Sequence, residues 1–215
     1  MPAPAVECNA CPLCLANRGR CNFAQTRAAA GTLVFAQGEP MDRACFIREG
    51  LLTLSVFSAE GAERNFAVRG PRTLLGAESL NGGASAAEVR ALTDVKLCVL
   101  SSSQFSAWLG PDHTPARAVL GFLLSELQHE QSDQDWRTGD CDSRVAKLAL
   151  ACEDAQVSNG FPVRQKQQMA RLLGMRAETF SRSLRRLSEG GLIDAKSLRV
   201  RNREQLETLA TGAEA

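Results

Sequence analysis

The sequence predicts an α+β chain in three parts: a sandwich or barrel of short strands, one long helix, and a basic helix-turn-helix followed by a wing. Three observations carry this. Short β-type runs punctuated by turn residues fill the stretch from Thr32 to about Leu109. An apolar seam with helical spacing follows at 114–138. Residues 161–204 then hold 11 Lys and Arg against 4 Asp and Glu, a net of +7, whereas residues 1–140 hold 12 against 15, a net of −3. A basic module joined to a mildly acidic one is the charge pattern of a polyanion-binding head with a separate input domain.

Residues 1–30 hold four cysteines and little else that packs. The predicted strands are 32–35, 44–47, 51–57, 64–68, 88–92 and 95–100. Gln37-Gly38-Glu39-Pro40, Glu49-Gly50, Gly70-Pro71 and Asn81-Gly82-Gly83 stand between them as turns. In the long helix Ala116, Leu120, Leu123 and Leu127 repeat at 4-3-4 spacing, and the seam then turns polar at Glu130 and Gln134. A narrow seam of this kind predicts a contact with a second copy, weak in its C-terminal half. Another helix is expected at 143–155, and a short one at 203–210 after a β-ribbon wing at 190–201.

The stretch from Gln167 to Arg182 reads as a helix, a turn centred on Gly174 and a second helix, the arrangement that places one helix in a DNA major groove. On the second helix Phe180, Leu184 and Leu187 share a face suited to burial. Glu178, Ser181 and Arg182 stand at i, i+3 and i+4 on another face. Arg182 suits guanine O6 and N7, Glu178 suits cytosine N4, and Ser181 is small enough for close approach. The competing reading is a surface ion pair between Glu178 and Arg182. Arg164, Lys166, Arg171, Arg176, Arg185 and Arg186 are candidate phosphate contacts.

No apolar run approaches the roughly 20 residues that cross a bilayer. The N-terminus has cysteine where a signal peptide needs an apolar stretch, so a cytoplasmic location is expected. In that reducing compartment, eight cysteines point to metal or redox chemistry rather than to a disulfide framework. The cluster Cys8-x2-Cys11-x2-Cys14-x6-Cys21 leaves an iron–sulfur cluster, a structural zinc and a thiol redox switch open. Cys45, Cys141 and Cys152 sit in apolar-patterned segments and read as core residues. His113 and His129 have no nucleophile pattern near them, so no enzyme activity is expected.

This order of parts, with Glu178-x-x-Ser181-Arg182 on the second helix and Gly191-Leu192-Ile193 after it, resembles the CRP/FNR superfamily of bacterial transcription regulators. The resemblance covers about residues 31–210 and implies four segments. These are a cysteine-rich segment (1–30), a β-roll like that of cyclic-nucleotide-binding domains (31–111), a dimerisation helix (112–139) and a winged helix-turn-helix (140–215). The N-terminal cysteines resemble those of the FNR branch, whose sensors use closely spaced cysteines plus one on a late strand of the roll. The resemblance therefore implies a [4Fe-4S] cluster on Cys11, Cys14, Cys21 and Cys98, with Cys8 an alternative ligand and zinc an alternative metal. It further implies oxygen, nitric oxide or redox sensing, a homodimer, a TTGAT-like palindrome and contact with RNA polymerase. A redox protein that does not bind DNA is the remaining alternative. Ser85 and Ala86 stand where the cyclic-AMP-binding branch has Arg-Ser, and Ala77 where it has Glu. Neutral side chains there do not compensate a cyclic phosphate, so no cyclic nucleotide is expected.

Overall fold

A computed structural model describes residues 23–110, 113–133, 137–154 and 166–211. The chain divides into two compact units, one ending at Gln131 and the other formed by Ser132–Ala215. Among the described residues no helix is long and apolar enough to cross a membrane.

The first unit is the expected roll of two antiparallel sheets. Its strands are β1 (Ala24–Ala28), β2 (Leu33–Phe35), β3 (Arg43–Glu49), β4 (Leu52–Phe57), β5 (Glu63–Arg69), β6 (Leu74–Leu75), β7 (Glu88–Ala91) and β8 (Val95–Ser101). One sheet runs β1-β8-β3-β6 and the other β2-β7-β4-β5. Phe35, Ile47, Leu52, Leu54, Val89 and Leu97 pack in one core of the roll. Strand β8 is apolar on both faces: Val95 and Leu97 enter that core, while Cys98 and Leu100 join a second core. Both faces are covered, which is why Val95–Leu100 reads as a nearly unbroken apolar run. The β3–β4 turn needs Gly50 at φ 83°, where a Cβ would lie 2.2 Å from the Asp94 carbonyl oxygen.

The helix covering the second core is α1 (Ser102–Leu109), in a stretch that the sequence presented as β-type texture. Ser101 ends β8 and caps α1 through a box with Gln104, so the chain turns directly from strand to helix. Phe105 and Trp108 lie beneath it with Phe46, Leu100 and Val119. The roll also starts earlier than residue 31. Strand β1 pairs along β8 from Ala24↔Val99 to Ala28↔Val95, and Phe23 is buried against Trp108. As an edge strand with Ala24, Gln25, Thr26 and Arg27 exposed, β1 carries no apolar signature.

The long helix α2 spans His113–Asp133 and is not carried through Thr138. Arg137, Thr138 and Gly139 are not α-helical, and Gly139 has φ 85°. Asp140 accepts from the Ser143 N–H at 2.7 Å, so the chain must break before it to cap the next helix. That helix, α3, starts at Cys141 rather than Ser143 and runs to Asp154. In the second unit α3 packs against α5 (Ala177–Glu189) and α6 (Arg203–Thr211), and α4 (Lys166–Leu172) packs against α5. The expected wing ribbon is reduced to a single bridge, Ile193↔Val200.

Candidate functional site

Gly174, at φ 64°, makes the turn from α4 to α5, where the Met175 N–H donates to the Ala170 carbonyl at 2.9 Å. Two arginines that the sequence did not single out serve the end of α4. Arg137 Nε donates to the Leu172 carbonyl at 3.3 Å, and Arg144 Nη1 to the Leu173 carbonyl at 3.2 Å. Both carbonyls lie at the end of the helix, where intrahelical partners run out.

Helix α5 presents the two faces its sequence predicts. Phe180, Ser183, Leu184 and Leu187 are buried, while Glu178, Ser181 and Arg182 are exposed. Among the described residues no ion pair joins Glu178 to Arg182, so both polar ends stand toward solvent. The N-cap, Arg176, makes no side-chain capping bond and is exposed. That leaves first-turn N–H groups and a guanidinium in a position suited to an anion.

The other predicted phosphate contacts divide. Lys166 is half-buried at the start of α4 and Arg171 is exposed. Arg185 is exposed and pairs with Glu189 one turn on, at 2.7 Å. Arg186 is committed elsewhere: its Nε and Nη2 hold the two carboxylate oxygens of Asp142 on α3 at 2.9 and 2.7 Å. It anchors the helix while its side chain remains 57% exposed. Burial alone would raise Asp142, but hydrogen bonds from Arg186 and Ser183 outweigh it and hold the carboxyl below its usual range. Arg164 lies outside the described residues.

Beyond α5, Asp194 organises the wing by accepting from the N–H groups of Lys196 and Ser197 and from the Ser197 hydroxyl. These bonds, with Ser197 contributing most, hold its carboxyl below the ordinary value. Lys196 and Arg199 stand exposed around this knot. The sequence reading had assigned neither a contact role.

In the roll, Cys98 is 3% exposed and lies in the core beneath α1 and the start of α2, with Phe23, Phe46, Leu100, Trp108 and Val119. Its cross-strand partners are Gln25 on β1 and Phe46 on β3. Gln25 is four residues beyond Cys21, so the strand that leaves the cysteine-rich segment runs directly beside Cys98. Cys8, Cys11, Cys14 and Cys21 themselves lie outside the described residues. Among the described residues no three His, Cys, Asp or Glu side chains converge in a way that would hold a metal. Cys98 is thus the described cysteine whose strand pairs with the chain continuing from Cys21.

Cys45 lies in the other core of the roll, and Cys152 is buried on α3. Burial pushes the Cys45 thiol up to about 11 and the Cys152 thiol well above its ordinary value. Both are core residues, as expected. Cys141, at the first position of α3, is only half-buried.

Along α2, Val119 is buried, and Ala118 and Phe122 pack on the roll, with the Phe122 and Phe46 rings 5.4 Å apart. The predicted seam faces away: Leu120, Leu123 and Leu127 are 58%, 39% and 57% exposed, and Leu124 joins them at 61%. Ala116 is half-buried. Gln134 and the side chain of Glu130 lie outside the described residues. At the roll positions compared with cyclic-AMP binders, the Ser85 hydroxyl is spent on the Ala87 carbonyl at 2.7 Å.

Residues 25–111 match the family model of the cyclic nucleotide-binding domain, and residues 143–209 match that of the Crp-like helix-turn-helix domain. The chain is similar to a CRP-like cAMP-activated global transcriptional regulator of Mycobacterium tuberculosis, 24% identical over 191 residues that cover 82% of this chain and 83% of that one. Its fold is similar to that of FixK2 from Bradyrhizobium japonicum, with a TM-score of 0.71, 21% identity and coverage of 90% and 98% of the two chains. A CRP-family transcriptional regulator from Thermus thermophilus gives 0.67 at 21% identity, over 86% of this chain and 96% of that one.

Proposed function

We propose, from the premise that this chain belongs to the CRP/FNR family of DNA-binding transcription regulators, that it acts as a homodimer whose DNA binding is set by a [4Fe-4S] cluster held by Cys11, Cys14, Cys21 and Cys98. The observation that carries this reading is the register Gln25↔Cys98. It threads the chain leaving Cys21 alongside the buried thiol, in the core that also receives Val119 of α2.

When bound, such a cluster supplies a centre that oxygen or nitric oxide converts or destroys. The chain's own residues turn that loss into a change in DNA affinity. Cys98 sits in the same core as Val119 and Phe122, so ligation there sets the packing beneath the first turns of α2. The opposite side of α2 offers Leu120, Leu123 and Leu127 to a partner copy. With Glu130 and Gln134 continuing the seam, apolar contact is scarce, so small changes in α2 shift the dimer equilibrium. The dimer presents two copies of α5 to half-sites one DNA turn apart. There Arg182 donates to guanine, Glu178 accepts from cytosine and Ser181 lets the helix approach, on a palindrome related to TTGAT.

Anaerobic purification followed by iron, sulfide and zinc analysis tests the reading. About four irons per chain, lost in air together with binding to the palindrome, is the expected result. About one zinc per chain in colourless protein overturns the gas-sensing mechanism.

A further inference from the structure

The four residues immediately before α3 are each fastened to the DNA-binding unit. Arg137 Nε donates to the Leu172 carbonyl at 3.3 Å, and the Thr138 hydroxyl accepts from Lys147 Nζ at 3.1 Å. The Gly139 carbonyl accepts from Arg144 Nε at 2.9 Å, and Asp140 caps α3 through the Ser143 N–H at 2.7 Å. Arg137, the first of the four, reaches the helix-turn-helix itself. Its stem covers Gly174, where an added Cβ would stand 3.5 Å from its Cδ and 3.6 Å from its Cγ. Arg144 holds the neighbouring Leu173 carbonyl with Nη1 while its Nε holds Gly139, so one guanidinium spans the incoming chain and the turn. Arg137 is exposed and adds nothing to the apolar core of the unit. What its contacts do is join the incoming chain to the turn that leads into α5.

We propose that Arg137 is a positioning residue: it ties the chain arriving from α2 to the helix-turn-helix turn and so sets the half-site spacing that two copies of α5 accept. The inference rests on the reading above of a homodimer on two half-sites. In such a dimer the α2 contact holds one end of each connection and the recognition helix lies at the other. A connection fastened from Arg137 onward has less slack than a loose one, which matches the pair of helices to one spacing. Releasing Arg137 adds free chain at the end nearer α2. Mismatched spacings then cost less, and the matched spacing gains less from pre-organisation.

The test uses the full-length protein, as wild type, Arg137→Ala and Arg137→Lys, on palindromic duplexes whose TTGAT-like half-sites are moved apart or together by one and two base pairs. A duplex with a single half-site, a set of single-base changes and a salt series complete the panel. Wild type is expected to prefer one spacing. Arg137→Ala should lose most of that preference, a several-fold fall in the ratio of affinities between matched and mismatched duplexes. Its binding to the single half-site, its base preference and its salt slope should stay as in wild type, because the reading face is untouched. Arg137→Lys keeps a donor on an aliphatic stem and should recover much of the spacing preference. An Ala variant with the wild-type spacing preference overturns the proposal. So does one that weakens equally on every duplex, the single half-site included, since a merely destabilised unit behaves that way. Wild type that shows no spacing preference overturns the two-half-site reading itself, before any variant is compared.

Discussion

Arg186 on the recognition helix and Asp142 on α3 form a two-point ion pair, with Nε and Nη2 each on its own carboxylate oxygen at 2.9 and 2.7 Å. The parallel geometry fixes the roll of α5 about its axis, and so the direction in which Glu178, Ser181 and Arg182 point. Asp142→Asn weakens one side of this clamp. The DNA-binding unit is expected to melt several degrees lower, while the number of phosphates contacted, read from the salt dependence of binding, stays the same. Because the Asp142 carboxyl is held below its usual range, its contribution is fully present above the unfolded carboxylate value of about 3.9. It is lost as pH falls through the lowered native value. Thermal melts carried from neutral pH down through that window should converge for wild type and variant once pH is below the lowered native value; curves that stay parallel to that point would contradict the clamp.

Arg182 is exposed and makes no ion pair with Glu178 among the described residues, so its truncation leaves the fold intact. Arg182→Ala is expected to cost about 1–3 kcal/mol on the cognate palindrome and to relax preference at a single base pair. Lys166→Ala, by contrast, should weaken binding to all sequences alike and lower the salt slope by about one. Fluorescence anisotropy on a panel of single-base variants at several salt concentrations separates the two. An Arg182→Ala protein with undiminished base preference would remove this residue from the reading face.

The helix-turn-helix was legible because its evidence is local. The spacing of Phe180, Leu184 and Leu187 and the glycine at 174 suffice without tertiary information. Strand β8 was legible for the same reason, as an apolar run covered on both faces. Strand β1 was not, since its pairing partner is some seventy residues away and its own side chains are largely solvated. The ion pair of Arg186 was hidden likewise, because its partner Asp142 stands 44 residues earlier in the chain. Helix α1 did leave a sign, the Ser101/Gln104 capping box, which the surrounding serines masked.

The exposed seam on α2 predicts the oligomeric state. Leu120, Leu123 and Leu127, about half exposed, each stand to gain on the order of 1 kcal/mol on burial, and a two-fold contact counts every substitution twice. Leu127→Glu places like charges at the interface without touching Val119 or Phe122, which hold the helix to the roll. Sedimentation should show wild type as a concentration-dependent dimer and the variant as a folded monomer with an unchanged circular dichroism spectrum. Binding to a single half-site should persist while cooperative binding to the palindrome is lost. A variant that remains dimeric would place the partner contact on another surface.

Two buried thiols on neighbouring strands give the most direct discrimination within the roll. Cys98 lies beneath α1 and α2, while Cys45, opposite Val99 on β8, points into the other core, where burial raises its thiol to about 11. Only the first stands on the strand that pairs with β1, and the proposal assigns the cluster to it alone. Cys98→Ala should therefore lose most of the iron bound anaerobically, whereas Cys45→Ala should keep it. Both variants lose stability, since removing a buried sulfur from a packed core costs on the order of 1–2 kcal/mol. Iron analysis, with thermal melts to show that both proteins fold, therefore tests the assignment. If Cys98→Ala keeps its iron, the four N-terminal cysteines suffice on their own, with Cys8 in place of Cys98 as the fourth ligand.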